Sequence, residues 1–485
     1  MNSSNKRKSV PNTSRRNSKY LYRHFCTLIL SVIATFIFYR TWNGFLERLY
    51  QGQYISVANN SLRGRGNLGM AIGIYILIYL IIGNWLHAFT IGVERKANIL
   101  AGQVLTLLTV DFIEVFVSCA ITGQFRLIFV FIKMYVLMLL VQSFICSLIT
   151  IPMIDLYRKL FPPLQIIEIY GDYVNDLTDK MNGVQYKYIV VDRISCYEDE
   201  KVIKGKIRDF DAVLLNDLPA HVENSTLKMC FESNKRVYFV PKISDILIKN
   251  AEELNLIDAP LFLNKNNGIG PLHRFAKRAF DIFFSLFALI IFSPIMLIAA
   301  LAIKLEDGGP VFFRQERVTI GGKRFMILKF RSMIVDAEKD GRPHPAGEKD
   351  DRITKVGKII RACRIDELPQ LVNILCGDMS IVGPRPERWE HVEKYSEDIP
   401  EFDFRHMVKG GLTGYAQVYG KYNTTALDKL KLDLLYITNY SFLLDLQIIF
   451  ETVKILFQKE STEGFDKKRQ EQMQDSADER KIHEG

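Results

Sequence analysis

At 485 residues the chain exceeds the ~250 to 300 at which single cores stop growing, so more than one folded unit is expected. Its hydrophobic fraction of 48% is ordinary in amount but gathered in the first 150 residues and between Phe280 and Leu305, which excludes a purely soluble protein. A net charge of +9 calls for a polyanionic partner; with membrane segments present, this means anionic lipid or phosphorylated small molecules, not nucleic acid.

The seven cysteines form no CxxC pair and no metal spacing, and an odd count argues against a disulfide framework, so the soluble parts are expected in the cytoplasm. Residues 1–20 read as a basic cytoplasmic tail, with Lys6, Arg7, Lys8, Arg15, Arg16 and Lys19 and no acid. No small-residue cleavage site follows the first apolar stretch, so a retained anchor is expected. Four apolar segments, about Leu21–Trp42, Leu68–Ile91, Ile99–Ile121 and Leu127–Ile151, each approach the ~20 residues that cross a bilayer. They predict a four-helix transmembrane bundle over 21–151 whose flanking Lys and Arg favour both ends inside. Asp111 and Glu114 fall on one face of the third segment, and Lys133 lies at the depth of Glu114 in the fourth. A structural ion pair between Glu114 and Lys133 is expected, with a transport or lipid pathway as the alternative.

Residues 152–266 turn soluble and alternating. Gln165–Tyr170, Tyr186–Val191, Asp211–Leu215 and Arg236–Val240 predict short buried strands separated by helix-length polar stretches, a βαβ rhythm that implies a small Rossmann-like parallel sheet. Tyr170-Gly171-Asp172 lacks the GxGxxG phosphate turn, so no dinucleotide site is expected and the domain reads as a spacer or regulatory module. A Gly/Asn-rich linker over Asn264–Pro271 precedes a fifth apolar stretch, Ile282–Ile303, interrupted by Ser293-Pro294. Proline removes a backbone donor and disfavours helix before it, so a bend is expected, with the serine hydroxyl satisfying a freed carbonyl. A re-entrant hairpin over 279–305 would keep both flanks, Lys277/Arg278 and Lys304, at the cytoplasmic surface; a straight crossing is the alternative.

From Arg314 to Arg364 fourteen lysines and arginines face seven acids. Val318–Phe325 reads as a hairpin turning at Gly321-Gly322, and alternation along its second strand puts Lys329 and Arg331 on one face, able to grip a diphosphate. Asp366 and Glu367 then stand among Arg361, Arg364 and the proline-flanked Arg385. Adjacent carboxylates at a helix start can hold Mg²⁺ or attack phosphorus, and either role needs such cations to screen them from incoming phosphates.

Four blocks in order, Lys329-Phe330-Arg331-Ser332-Met333, Arg364-Ile365-Asp366-Glu367-Leu368-Pro369-Gln370 with Asn373, Gly377 to Pro386, and Gly411-Leu412-Thr413-Gly414-Tyr415-Ala416-Gln417, closely resemble the catalytic domain of the bacterial polyprenyl-phosphate sugar-phosphate transferases, the monotopic phosphoglycosyl transferases. The likeness covers 271–458, and the preceding architecture resembles the long form that initiates capsule or exopolysaccharide assembly. It implies transfer of a sugar 1-phosphate from a UDP-sugar to undecaprenyl phosphate, with UMP released. By that likeness Asp366 is the nucleophile, Glu367 assists it, Mg²⁺ bridges Asp366 and the diphosphate, and Lys329, Arg331, Arg364 and Arg385 bind phosphates. Ser293-Pro294 matches the family's hairpin signature. Two positions depart from the family pattern: Gly410 stands where proline is usual and Tyr415 where tryptophan is usual.

The fold class expected is therefore α/β plus membrane helices: the four-helix bundle, the Rossmann-like domain, and a membrane-associated α+β catalytic domain carrying the re-entrant hairpin. Leu430–Phe457 reads either as helices on the membrane plane or as core helices, and 459–485 as a disordered tail. Expected partners are the UDP-sugar, undecaprenyl phosphate and the bilayer, with a homodimer compatible. The plasma membrane is the expected location. A non-catalytic scaffold or sensor for polysaccharide assembly is the rival from another class, and it predicts loss of the phosphate-handling residues.

Overall fold

The computed structural model describes residues 12–51, 65–171, 177–254, 261–264, 269–335, 337, 350–420 and 424–456. Most of the basic tail and all of 459–485 lie outside them. The chain divides into two compact units, Met1–Val240 and Pro241–Gly485.

In the first unit, four helices, α1 (Asn12–Gln51), α2 (Arg65–Trp85), α3 (Lys96–Thr122) and α4 (Ile128–Leu160), are each long and apolar enough to cross a membrane. Their inward stripes follow helical spacing: Cys26, Leu30, Ala34, Phe38 and Trp42 on α1, Ala71, Tyr75 and Tyr79 on α2, and Phe131, Met134, Tyr135 and Met138 on α4 are buried. Between those positions Leu28, Val32, Phe36, Leu77, Ile81, Leu137 and Phe144 face outward. An apolar exterior over an aromatic interior suits a lipid solvent, and Phe38 stacks on Tyr75 with ring centroids 4.4 Å apart. Helix α2 ends at Trp85, short of the expected Ile91, in a run of turns that leads to α3.

Lys133 does not pair with Glu114. Glu114 is fully buried on α3, whereas Lys133 is exposed on α4, off the Phe131/Met134/Tyr135/Met138 stripe. Equal depth did not place the two on facing sides of their helices.

The α/β part carries β1 (Leu164–Tyr170), α5 (Leu177–Asn182), β2 (Tyr188–Ser195), α6 (Glu200–Asp209), β3 (Ala212–Asn216), α7 (Ala220–Glu232) and β4 (Arg236–Phe239). The strands form a parallel sheet in the order β2-β1-β3-β4, as the alternating rhythm predicts. Strand β3 is buried throughout, the mark of a strand covered on both faces.

The second unit opens with α8 (Ile243–Ile248), a small antiparallel pair β5 (Glu252–Leu254) and β6 (Leu261–Leu263), and then the 37-residue helix α9 (Pro271–Asp307). Helix α9 remains helical through Ser293-Pro294, where an interruption was expected. The freed carbonyl is met as anticipated: Pro294 cannot donate to Ile290 O, and Ser293 Oγ donates to it instead at 2.8 Å.

Both ends of α9 are fastened to this unit. Near its start, Lys277 Nζ lies 2.7 Å from Asp445 Oδ2, Arg278 donates to Ile374 O and Leu375 O at 2.6 and 2.7 Å, and Asp281 Oδ1 accepts from Ser380 Oγ and Ile381 N at 3.0 and 2.9 Å. Near its end, Asp307 clasps Arg331, Glu306 accepts from Lys355 N, and Ala299 and Ile303 pack with Phe330 and Ile360. The apolar middle, including Ile290, Ile291, Phe292, Ile295, Leu297 and Ile298, is exposed.

Strands β7 (Phe312–Val318) and β8 (Arg324–Phe330) form the expected hairpin, turning at Gly321 and Gly322, both at positive φ. There follow α10 (Lys355–Ala362), α11 (Gln370–Cys376), β9 (Ser380–Val382), α12 (Trp389–Asp398), a 3₁₀ run over Pro400–Met407, β10 (Gly411–Thr413) parallel to β9, α13 (Tyr415–Tyr419), α14 (Ala426–Thr438) and α15 (Phe442–Leu456). Helices α14 and α15 are core helices: Leu430, Leu434, Tyr436, Ile437 and Ile448 pack with Val318, Val382, Val392, Phe402 and Val408.

Asn373 ties α11 to β8. Its Oδ1 accepts from Leu328 N and its Nδ2 donates to Met326 O, each at 2.9 Å, so one side chain completes two backbone groups. Asn373→Leu leaves a buried donor and acceptor unpaired and is expected to cost about 2 kcal/mol, seen as a lower unfolding midpoint in detergent. An unchanged midpoint would contradict this role.

Candidate active site

Helix α10 closes at Cys363, and the next residue, Arg364, takes a left-handed conformation at φ 57°. Glycine usually serves there; a non-glycine residue costs about 1 kcal/mol. The reversal starts the 3₁₀ turn Ile365–Glu367, which carries both acids back toward β8 and Arg385.

Glu367 is the knot of the cluster. Its Oε1 accepts from Arg385 Nη2 at 2.8 Å and from Lys329 Nζ at 3.4 Å, while Arg364 Nη1 stands 4.0 Å from Oε2. Burial alone would raise its carboxyl, but the Arg385 and Lys329 charges outweigh that and hold it far below the usual range. Asp366 has the opposite environment: Oδ1 is buried without a hydrogen-bond partner among the described residues. Burial and then the Glu367 charge push its carboxyl up, against Lys329, Arg361 and Arg364. With both acids ionised, the four cations Lys329, Arg361, Arg364 and Arg385 leave an excess of positive charge beside an open carboxylate oxygen. Such a site suits a phosphate ester or diphosphate.

Arg331 is not part of this cluster. Strand β8 ends at Phe330, so alternation no longer governs the next residue, and Arg331 turns to the Asp307 carboxylate. Buried there, it fixes the end of α9 to the hairpin. Ser293 and Pro294 sit in the exposed middle of α9.

Arg385 is held by a support that sequence reading missed. Prolines on both sides leave this loop short of donors, and its carbonyls are taken up one by one: Pro384 O accepts from Gly411 N at 2.9 Å, Arg385 O from Arg405 Nη2 at 2.9 Å, Pro386 O from Arg317 Nη1 at 3.3 Å and Glu387 O from Val318 N at 3.0 Å. Arg405, 2% exposed, stands 2.9 Å from Asp433 Oδ2 and 3.8 Å from Glu387 Oε1, which Lys429 Nζ approaches at 3.2 Å. Glu387 directly follows the Arg385-Pro386 signature and could have been suspected; Arg405, in a 3₁₀ run of mixed residues, carries no such signal.

The departure at Gly410 has a local reason. Its N–H donates to Thr319 Oγ1 at 3.1 Å, and a Cβ there would meet the Pro386 ring at 2.5 Å. Tyr415 packs against Tyr419 with ring centroids 4.4 Å apart and the ring planes tilted by 45°.

For a metal ion, the described residues contain no set of three or more His, Cys, Asp or Glu side chains. The open Asp366 oxygen fits an ion that leans on one carboxylate and completes its shell with water and substrate phosphates, which is the habit of Mg²⁺.

Residues 272–459 match the family described as bacterial sugar transferase. The chain is 39% identical over 264 residues to a UDP-N-acetylgalactosamine-undecaprenyl-phosphate N-acetylgalactosaminephosphotransferase of Aeromonas hydrophila, covering 52% of this chain and 60% of that protein. It is 38% identical over 298 residues to a UDP-glucose:undecaprenyl-phosphate glucose-1-phosphate transferase of Klebsiella pneumoniae, covering 56% and 62%. To the exopolysaccharide production protein PSS of Rhizobium leguminosarum bv. phaseoli it is 42% identical over 185 residues, covering 36% of this chain and 92% of that protein. The chain belongs to the bacterial sugar transferase family. It spans about three fifths of the length of the first two relatives.

Burial, and next the Arg385 charge, bring the Lys329 ammonium down to about 8, with Glu367 and Asp366 opposing. A lowered lysine keeps its charge below that pH and loses it above. Affinity for a diphosphate is therefore expected to fall as pH rises through about 8, and Lys329→Arg, charged throughout, to carry binding to higher pH. Titration calorimetry on both proteins reads this; coincident pH profiles would remove Lys329 from the binding set.

Proposed function

We propose that this protein transfers a sugar 1-phosphate from a UDP-sugar to undecaprenyl phosphate at the plasma membrane, releasing UMP and forming an undecaprenyl-diphosphate sugar. The observation that carries the reading is the open Asp366 oxygen beside a Glu367 already tethered by Arg385 and Lys329, in a chain whose relatives bear undecaprenyl-phosphate sugar-phosphate transferase names.

In the first half-reaction an Asp366 oxygen attacks the β-phosphorus of the donor. The bond from that phosphorus to the oxygen bridging to the α-phosphorus breaks, and UMP leaves with the bond's electron pair. The product is an acyl phosphate joining Asp366 to the sugar phosphate. In the second, the phosphate oxygen of undecaprenyl phosphate attacks the same phosphorus and the acyl bond breaks, restoring the carboxylate. Lys329, Arg364 and Arg385 orient the diphosphate and offset the charge gathering on its equatorial oxygens, with Arg361 adding to the positive field. Glu367 holds Lys329 and Arg385 in place and leaves Asp366 as the unoccupied carboxylate. Mg²⁺, held by Asp366 and the donor's phosphates, would supply further charge neutralisation. The relatives' names divide between N-acetylgalactosamine and glucose, so the transferred sugar is written as a hexose of that class. Exopolysaccharide or capsule initiation is the role we assign.

We further infer that α1–α4 form a transmembrane bundle and that α9 enters and leaves the membrane on the cytoplasmic side, bending at Ser293-Pro294. Two facts support the second point. Arg278 grips the end of α11, while Ile303 packs in the cluster that Ile365 joins. A straight helix would set those two residues about 38 Å apart at ~1.5 Å per residue, whereas Ile365 to Leu375 is a short, mostly helical stretch of roughly 15 Å.

Asp366→Asn is expected to abolish UMP release from a panel of UDP-sugars while the protein still inserts and folds; retained turnover would defeat the covalent route. For the topology, Lys323→Cys in a Cys363→Ser, Cys376→Ser background should react with an impermeant maleimide only after cells are permeabilised. Labelling of intact cells would sink the re-entrant reading.

A further inference from the structure

The interior of α1–α4 carries a feature that sugar transfer does not use. Along α3 the buried face reads Gln103, Thr106, Asp111, Glu114, Ser118 and Thr122, a polar stripe inside a segment apolar enough to cross a membrane. Most of these groups are satisfied. Gln103 bonds Thr150 and Ala88 O, Thr106 and Thr122 bond carbonyls one turn back, and Trp42 Nε1 donates to Ser118 Oγ at 2.9 Å, which shares a proton with Tyr135 OH at 2.7 Å.

Asp111 and Glu114 are the exception. At 3% and 0% exposure, all four carboxylate oxygens are buried without a hydrogen-bond partner among the described residues. A third orphan comes from another helix. Gln142, fully buried on α4, spends its Nε2 on Ala34 O at 3.0 Å and on Tyr75 OH at 2.9 Å, which leaves Oε1 without a partner.

The register of the two helices brings these orphans to one level. Ser118 bonds Tyr135 and Gln103 bonds Thr150, so the same fifteen-residue step separates the two contacts on each antiparallel helix. Asp111 lies seven residues from Ser118 and Gln142 seven from Tyr135, which sets them opposite each other, with Glu114 one turn from Asp111 on the same face.

The chemistry of the orphans is uniform: five oxygens that accept, with the nearby amide and indole donors already committed elsewhere. Two bare carboxylates in such a core cannot persist, since burying unpaired charge is prohibitive. Lys133, the basic residue at that depth, is exposed on the far side of α4. A surplus of acceptor oxygens and two negative charges is what a hard, doubly charged ion requires. We propose that Asp111, Glu114 and Gln142 form a binding site for a hard divalent cation within the helical unit, separate from Asp366 and independent of the transfer reaction. The ion ties α3 to α4 and neutralises the pair.

The test uses the full chain purified in detergent and stripped with a chelator, with unfolding followed by tryptophan fluorescence. Millimolar MgCl₂ or CaCl₂ should raise the midpoint by about 5 °C over choline chloride of equal ionic strength. Asp111→Asn and Glu114→Gln, isosteric and uncharged, should each lose that shift, whereas Asp366→Asn should keep it. Should either neutral variant fail to fold, Gln142→Met, which keeps the side chain's volume and deletes the amide oxygen, should weaken cation affinity about tenfold. Survival of the shift in the folded variants overturns the proposal, as does unweakened affinity in Gln142→Met. An equal effect of choline chloride, or stabilisation that follows pH with no dependence on the cation, shows protons in place of a metal and overturns it as well.

Discussion

The clasp of Arg385 and Lys329 on Glu367 is the interaction on which the site depends. Two neighbouring carboxylates would ordinarily compete for the same cations and end as equivalent partners. Here the geometry breaks the symmetry: Glu367 is saturated with positive partners and Asp366 is left with an open, buried oxygen. The pair is thereby divided into one carboxylate held by cations and one, Asp366, that we propose as the reactant. That division needs Arg385 at a fixed point, and so draws in the proline-flanked loop, Arg405 beneath it, and the packing of α14 that buries Asp433.

Much of this was legible in the sequence because lipid and backbone impose strong, local patterns. A bilayer demands about twenty apolar residues, a parallel sheet demands short buried runs, and both appear where the pattern puts them. The acid pair and its arginines were legible because adjacent like charges among cations have few structural excuses. What escaped was the choice of partner. Lys329 and Arg331 share a period of two, yet the strand ends between them and Asp307 is the nearer carboxylate for Arg331. Glu114 and Lys133 share a depth but not facing sides. Arg405 and Asn373 act through contacts that no spacing encodes.

Polar groups sit in the apolar interior of both units, but with opposite bookkeeping. In the second unit Lys277, Asp281, Arg331 and Arg405 each have a counter-charge or a hydrogen-bond partner, as with Lys277 and Asp445 or Asp281 and the start of β9, and Asp366 is the exception. In the first, the carboxylates of α3 have none among the described residues. A satisfied network fixes one arrangement of the chain, whereas an unsatisfied one remains open to something that arrives from outside.

The ionic ties at the start of α9 change what that helix can be considered to be. Lys277, Arg278 and Asp281 complete the buried Asp445, the last carbonyls of α11 and the first residues of β9. This long apolar helix is consequently a piece of the second unit's core and not a tether attached to it. A water-soluble version made by trimming the chain after α9 would strand those groups in an apolar interior. Solubility would have to come from recolouring the exposed Ile290–Ile298 face with polar residues while every inward residue of the helix stays.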